Sequence, residues 1–206
     1  MQAITDLIMY FHKGGLVMWP LLACSITVIA IAIERFIYYK SVDSGAAFAS
    51  HYCAAVRSGD FAVATELARK GSGQCAQMLA DVETVAGGKA EKSAFLESRA
   101  GIFMATLRDK LDYLGIIVTM SPLLGLLGTI VGMIGAFSIF NVEAGAPMAI
   151  TGGIGEALIA TATGLCVAIL SLCAHSYFAH RMDNMITDME QCFSALLEAE
   201  TRRGRS

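Results

Sequence analysis

The sequence predicts an all-α integral membrane protein with three transmembrane helices, the second and third extended into the cytoplasm, plus a small cytoplasmic helical domain. Three observations predict it. Three long stretches carry no charge: 20 residues over Gly14–Ile33, 29 over Tyr113–Asn141 and 18 over Ala157–Ala174. A helix needs about 20 apolar residues to cross roughly 30 Å of hydrocarbon. Lysine and arginine are unevenly distributed between those stretches. Finally, the chain is 55% apolar and 16% charged, with mean hydropathy +0.59, against roughly 45–50% and about 25% in soluble domains. The apolar surplus lies in the three stretches.

Residues 1–13 precede the first span, which we place at 14–38. Lys13 before an apolar run resembles the start of a signal peptide, but no small-residue cleavage site follows. Instead the run ends Ile33-Glu34-Arg35-Phe36-Ile37-Tyr38-Tyr39-Lys40, with aromatic and basic residues suited to headgroup depth. It reads as a retained anchor. Residues 39–112 follow, then span two at 113–140, a loop at 141–149, span three at 150–178 and a tail at 179–206. Nine basic residues fall in Tyr39–Leu111 and four in the tail (Arg181, Arg202, Arg203, Arg205), whereas Asn141–Ile150 has none. Positive charge is retained in the cytoplasm, so the middle segment and tail are expected inside, the N-terminus and the short loop outside.

The middle segment reads as short helices separated by glycine: Ser44–Ser58, then Phe61–Lys70 with Asp60 as N-cap, then Gln74–Val85 between Gly71-Ser72-Gly73 and Gly87-Gly88. It shows no phosphate loop, no paired catalytic carboxylates and no histidine cluster, and is expected to be a packing domain. From Lys89, Phe95, Ile102, Phe103, Leu107, Leu111 and Leu114 recur at helical spacing and lead into span two. Met182, Met185, Met189, Phe193 and Leu196 form a similar seam in the tail. Such stripes pack either between subunits or on the subunit's own small domain.

Other classes fit poorly. A net charge of −3 without a basic stripe gives no nucleic-acid surface. The six cysteines lack a CxxC pair, so neither a disulfide framework nor a zinc site is expected. The four histidines are scattered and no nucleophile–base pair is readable, so no enzyme, cofactor or metal is expected.

The membrane segments are more specific. Gly125, Gly128, Gly132 and Gly135 share one face of span two, and small residues in this register let helices pack closely in lipid. Span three carries Gly152, Gly155, Ala160, Thr163, Gly164 and Ala168 as its own small face. Thr129, Thr161 and Thr163 add hydroxyls, each of which can be satisfied by its own backbone. Glu156 differs, because an acid within a span costs about 2.5–3.5 kcal/mol and usually faces a bundle interior or a wet cavity. The bland alternative is an acid hydrated at the outer interface. Thr163 shares the face of Glu156, whereas Thr161 is turned away by roughly 140° at about 100° per residue, so one helix offers polar groups to two neighbours.

These residues resemble a known family. Leu124-Gly125-Leu126-Leu127-Gly128-Thr129-Ile130-Val131-Gly132-Met133-Ile134 is similar to span two of the MotA/TolQ/ExbB proton channel family, and Ile154-Gly155-Glu156 through Ala168-Ile169 to its span three. Gly14-Gly15-Leu16-Val17-Met18-Trp19-Pro20-Leu21 and Glu34-Arg35 resemble the first span of the ExbB branch. Three spans suit ExbB and TolQ better than the four-span MotA stators. One departure stands out: where members often carry a proline after Val-Ala-Ile, this chain has Leu170-Ser171, so span three is expected to run unbroken.

The resemblance implies a homopentameric ring in the bacterial inner membrane, with spans two and three lining a pore. That pore would hold single-span ExbD/TolR-like partners, each with a membrane aspartate. It implies pore-lining roles for Thr129 and Thr161, with Glu156 and Thr163 beside the ion path. Protons, or sodium in some relatives, would drive relative rotation of ring and core, and the work would reach a TonB- or TolA-like envelope protein. A non-conducting scaffold, in which the same polar groups only bind helices together, is the rival reading. A secondary transporter is disfavoured because three spans give no internal repeat.

Overall fold

A computed structural model of the chain describes residues 14–142 and 147–203. The segment 1–13, the loop residues 143–146 and the last three tail residues lie outside the described residues. Among the described residues seven helices run in order: α1 (Met18–Val42), α2 (Ala46–Ser58), α3 (Phe61–Lys70), α4 (Gln74–Val82), α5 (Lys89–Arg108), α6 (Leu111–Val142) and α7 (Pro147–Arg203). Among the described residues three helical stretches are long and apolar enough to cross a membrane. The chain forms two compact units, one of Met1–Ile33 with Asp112–Ser176, the other of Glu34–Leu111 with Tyr177–Ser206.

The first unit holds the apolar lengths of α1, α6 and α7. Its outward faces carry Leu123 (64% exposed), Ile134 (64%), Leu158 (64%) and Leu170 (60%). Apolar patches on this scale are not left to water in a monomer, but lipid covers them at no cost, and helices satisfy their own backbone there. α7 starts on Pro147, a residue suited to the first helical position because its missing N–H would be unpaired anyway. It then runs 57 residues without interruption, about 85 Å at about 1.5 Å per residue, far beyond the hydrocarbon thickness. The helix is continuous through Leu170-Ser171, and Ser171 is fully buried with its hydroxyl donating to the Leu114 carbonyl at 2.9 Å.

The second unit is built from short capped helices. Gly59 closes α2 in the left-handed region at φ +81°, its N–H donating to Val56 O at 3.2 Å and that of Asp60 to Ala55 O at 3.0 Å. This is a glycine-terminated stop in which the last carbonyls find donors. Asp60 then caps α3, its carboxylate accepting from the Val63 N–H at 3.2 Å. α4 ends at Val82, three residues before the sequence expectation, because the Thr84 hydroxyl and N–H both turn back onto Asp81 O. Between α5 and α6 the helix is interrupted only at Asp109–Lys110, where Asp109 keeps helical dihedrals and donates to Ala105 O.

The methionine seam of α7 packs inside this unit. Met182, Met185, Met189, Phe193 and Leu196 are all buried, and Cys192 Sγ lies 3.9 Å from Cys53 Sγ of α2. Tyr52, Leu79, Val82, Leu96 and Leu107 complete the core, each large apolar side chain contributing about 1.5–3 kcal/mol on burial. On the α5 stripe Phe103 and Leu107 are buried, as are Leu96 and Ala100, whereas Ile102 is 64% exposed. Arg35, 4% exposed, pairs through Nε with Glu34 at 2.8 Å, donates to Thr106 O at 3.1 Å and lies over the Tyr38 ring. Tyr39 donates to Leu107 O at 2.9 Å and meets Phe178 edge-on. Burial pushes the Tyr39 phenol up to about 12 and the Cys53 thiol up to about 11, since loss of water penalises the charged form.

Candidate functional site

The site lies in the first unit, where α6 and α7 touch through small residues. A methyl group at Gly125 would meet the Thr161 backbone at 3.1 Å, one at Gly128 the Ala160 Cβ at 2.5 Å, and one at Gly132 the Gly153 carbonyl at 3.0 Å. From the other side, a methyl at Gly164 would meet Ser121 O at 2.5 Å and Gly125 Cα at 3.0 Å. Only glycine permits this approach. Gly135 is not part of it: a Cβ there meets nothing within 4 Å, and Ala136, 2% exposed, takes the position against Gly153. Ala136 lies on the contact line and Gly135 beside it, since a spacing of four from Gly132 follows α7 where a spacing of three does not. On α7 the contact line is Gly153, Ala157, Ala160, Thr161 and Gly164, whereas Gly152 and Gly155 face open space.

The hydroxyls are placed on this frame. Thr161 Oγ1 crosses the helix pair and donates to Gly125 O at 3.1 Å. Thr129 donates within α6 to Leu126 O at 2.6 Å, and Thr163 within α7 to Ile159 O at 2.8 Å. Each of the three is half-buried, and each hydroxyl oxygen keeps acceptor capacity once its proton is given to a backbone carbonyl. Glu156, also half-buried, is directed at the Gly15 backbone just before α1. Within the chain, α7 thus presents Thr161 to α6 and Glu156 to the segment just before α1.

Two further serines, Ser121 and Ser171, belong to this contact, and neither is expected from the sequence to join the two helices. Ser171 bonds Leu114 O, and Ser121 is fully buried beside Gly164. Ser121 precedes Pro122, which removes one helical N–H from α6. An isolated serine in an apolar run carries no period, so no sequence signal marks Ser121, and Ser171 stands out only through the Leu170-Ser171 departure. Among the described residues no group of three or more His, Cys, Asp or Glu converges as a metal site.

An acid and three hydroxyls lodged on glycine-packed spanning helices define a multi-pass membrane protein with polar groups inside its spanning bundle. Comparison with known proteins identifies the family. The profile of the MotA/TolQ/ExbB proton channel family matches residues 71–191. Putative biopolymer transport protein ExbB-like 1 of Synechocystis is 34% identical over 170 residues, covering 79% of this chain and 66% of that protein. Biopolymer transport protein exbB1 of Vibrio cholerae is 27% identical over 85% of this chain and 80% of its own. Tol-Pal system protein TolQ of Pseudomonas aeruginosa is 36% identical over 39% of this chain and 35% of its own. The chain belongs to the MotA/TolQ/ExbB proton channel family, on its ExbB branch.

Proposed function

We propose that this chain is the ring-forming subunit of a proton-driven motor in a bacterial inner membrane, with its N-terminus outside and its C-terminus in the cytoplasm. Five copies surround single-span ExbD/TolR-like partners and pass the work of the ion gradient to a TonB- or TolA-like protein. The supporting observation is the placement of Glu156. It is an acid inside a span, half-buried, on the helix whose Thr161 and Gly164 lock against span two. A charge at that depth is expensive and is retained where an ion or a partner group uses it. Family membership adds the direction of the reading, from helix packing toward ion conduction. Thr129 and Thr163 supply further oxygens along the same helices, suited to handing a proton or a hydrated cation onward.

The test separates motor from scaffold. Glu156→Ala and Thr161→Val should still co-purify with the single-span partner, at five copies by native mass spectrometry, while gradient-dependent activity is abolished. Activity retained in both variants would overturn the assignment of these residues.

A further inference from the structure

The Gly14-Gly15 pair before α1 has no role in helix packing between α6 and α7, yet it lies against the acid. Gly15 has φ +72°, in the region that side chains rarely adopt. A Cβ at Gly15 would overlap Glu156 Oε1 and sit 3.0 Å from its Cδ and 3.4 Å from its Cγ. The carboxylate thus occupies the space in which any other residue would carry its side chain. At Gly14 a Cβ would lie 3.3 Å from Ile159 Cγ2, on the same α7 turn as Glu156. The first turn of α1 is anchored around this point. Val17 (6% exposed), Met18 (6%) and Leu21 (0%) form a buried cluster with Leu124 of α6 and Ile159 of α7, and Val17 Cβ lies 3.7 Å from a methyl placed at Gly128. The Met18 N–H turns back to Gly15 O at 3.2 Å and that of Trp19 to Leu16 O at 3.3 Å, so the backbone under the carboxylate is the opening turn of a helix, where negative charge is favoured.

We infer that Gly15 is a positioning residue for Glu156: the first span holds the acid in place through a bare backbone, and its spacing from α7 sets where the carboxylate can go. This rests on the proposed role of Glu156 for its functional consequence but not for its geometry. Three variants of the full chain, assembled with its partner in membranes, test it. Gly15→Ala adds the overlapping carbon. Gly15→Asn adds the same carbon but tolerates positive φ. Gly15→Ala combined with Glu156→Asp withdraws the acid by one methylene. The readouts are the rate at which a hydrophobic carbodiimide modifies Glu156, followed by peptide mass spectrometry, and gradient-driven activity.

Both single variants should raise labelling of Glu156 several-fold and lose most activity, and the double variant should regain activity over Gly15→Ala. If Gly15→Ala fails to accumulate, recovery of folded protein in the double variant supports the inference equally. Unchanged labelling in Gly15→Ala, wild-type behaviour of Gly15→Asn, or a double variant no better than the single would overturn the inference. Full activity in Glu156→Gln would instead remove the functional role of the acid and leave the labelling comparison to stand on its own.

Discussion

A methyl group added at Gly164 has no flexible side chain to push aside. Its Cβ would lie 2.5 Å from Ser121 O, 3.0 Å from Gly125 Cα and 3.2 Å from Gly125 N, all backbone, so α6 and α7 must separate. Overpacking of this kind costs about 1–3 kcal/mol. Gly155→Ala supplies the control, because a Cβ there meets nothing within 4 Å. Both substitutions gain the same helix-propensity increment of about 1 kcal/mol, which cancels in the comparison. Gly164→Ala is therefore expected to be less stable than Gly155→Ala by about 1–3 kcal/mol, the packing cost alone. Reversible unfolding of the full chain dispersed in detergent measures the difference. Equal stabilities would refute the claim that this contact is closed by backbone approach.

Removing the hydroxyls that cross between helices should have smaller effects. Thr161→Val and Ser171→Ala each break one bond to an α6 carbonyl, at Gly125 and Leu114, and each should lower stability by about 0.5–1.7 kcal/mol, the range for hydrogen bonds between membrane helices. In the second unit, alkali should act through the buried thiol and phenol. Cys53 is held up to about 11 against an ordinary 9.0, and Tyr39 up to about 12 against 10.0. Between those limits the unfolded chain releases protons that the folded chain keeps, so stability is fully present below about pH 9 and falls as pH rises through about 11 to 12. Alkylation of Cys53 and Cys192 at about pH 8 should be slow until the chain is unfolded, because buried thiols in apolar surroundings are inert. Rapid labelling of either in the native protein would contradict the core described.

The legible parts of this molecule were those written in local pattern. Charge-free length marked the three spans, Gly59-Asp60 marked a helix stop and a cap, and the 3–4 spacing of the α7 methionines marked a buried stripe. The sequence left open whether that stripe met another subunit; the structure packs it against α2 and its own domain. The face of small residues was half legible. Gly125, Gly128, Gly132 and Gly164 were visible because glycine recurs at helical spacing, but the choice of Gly153 over Gly152 and of Ala136 over Gly135 depends on how α6 lies against α7, which no single-helix period encodes. Glu156 was conspicuous as an acid in an apolar run. Its neighbour Gly15 was not readable, since the two are 141 positions apart and meet only through tertiary packing.

The central claim is that Glu156 serves ion movement and does more than bind helices together. The most direct measurement is proton uptake into liposomes containing this chain with its single-span partner, under an imposed gradient and read with a pH-sensitive dye, for wild type and Glu156→Gln. Glutamine keeps the size and hydrogen-bonding atoms but cannot carry the charge or exchange a carboxyl proton. The account predicts gradient-driven uptake in the wild type and its loss in an assembled Glu156→Gln complex. Equal uptake in the two would contradict it.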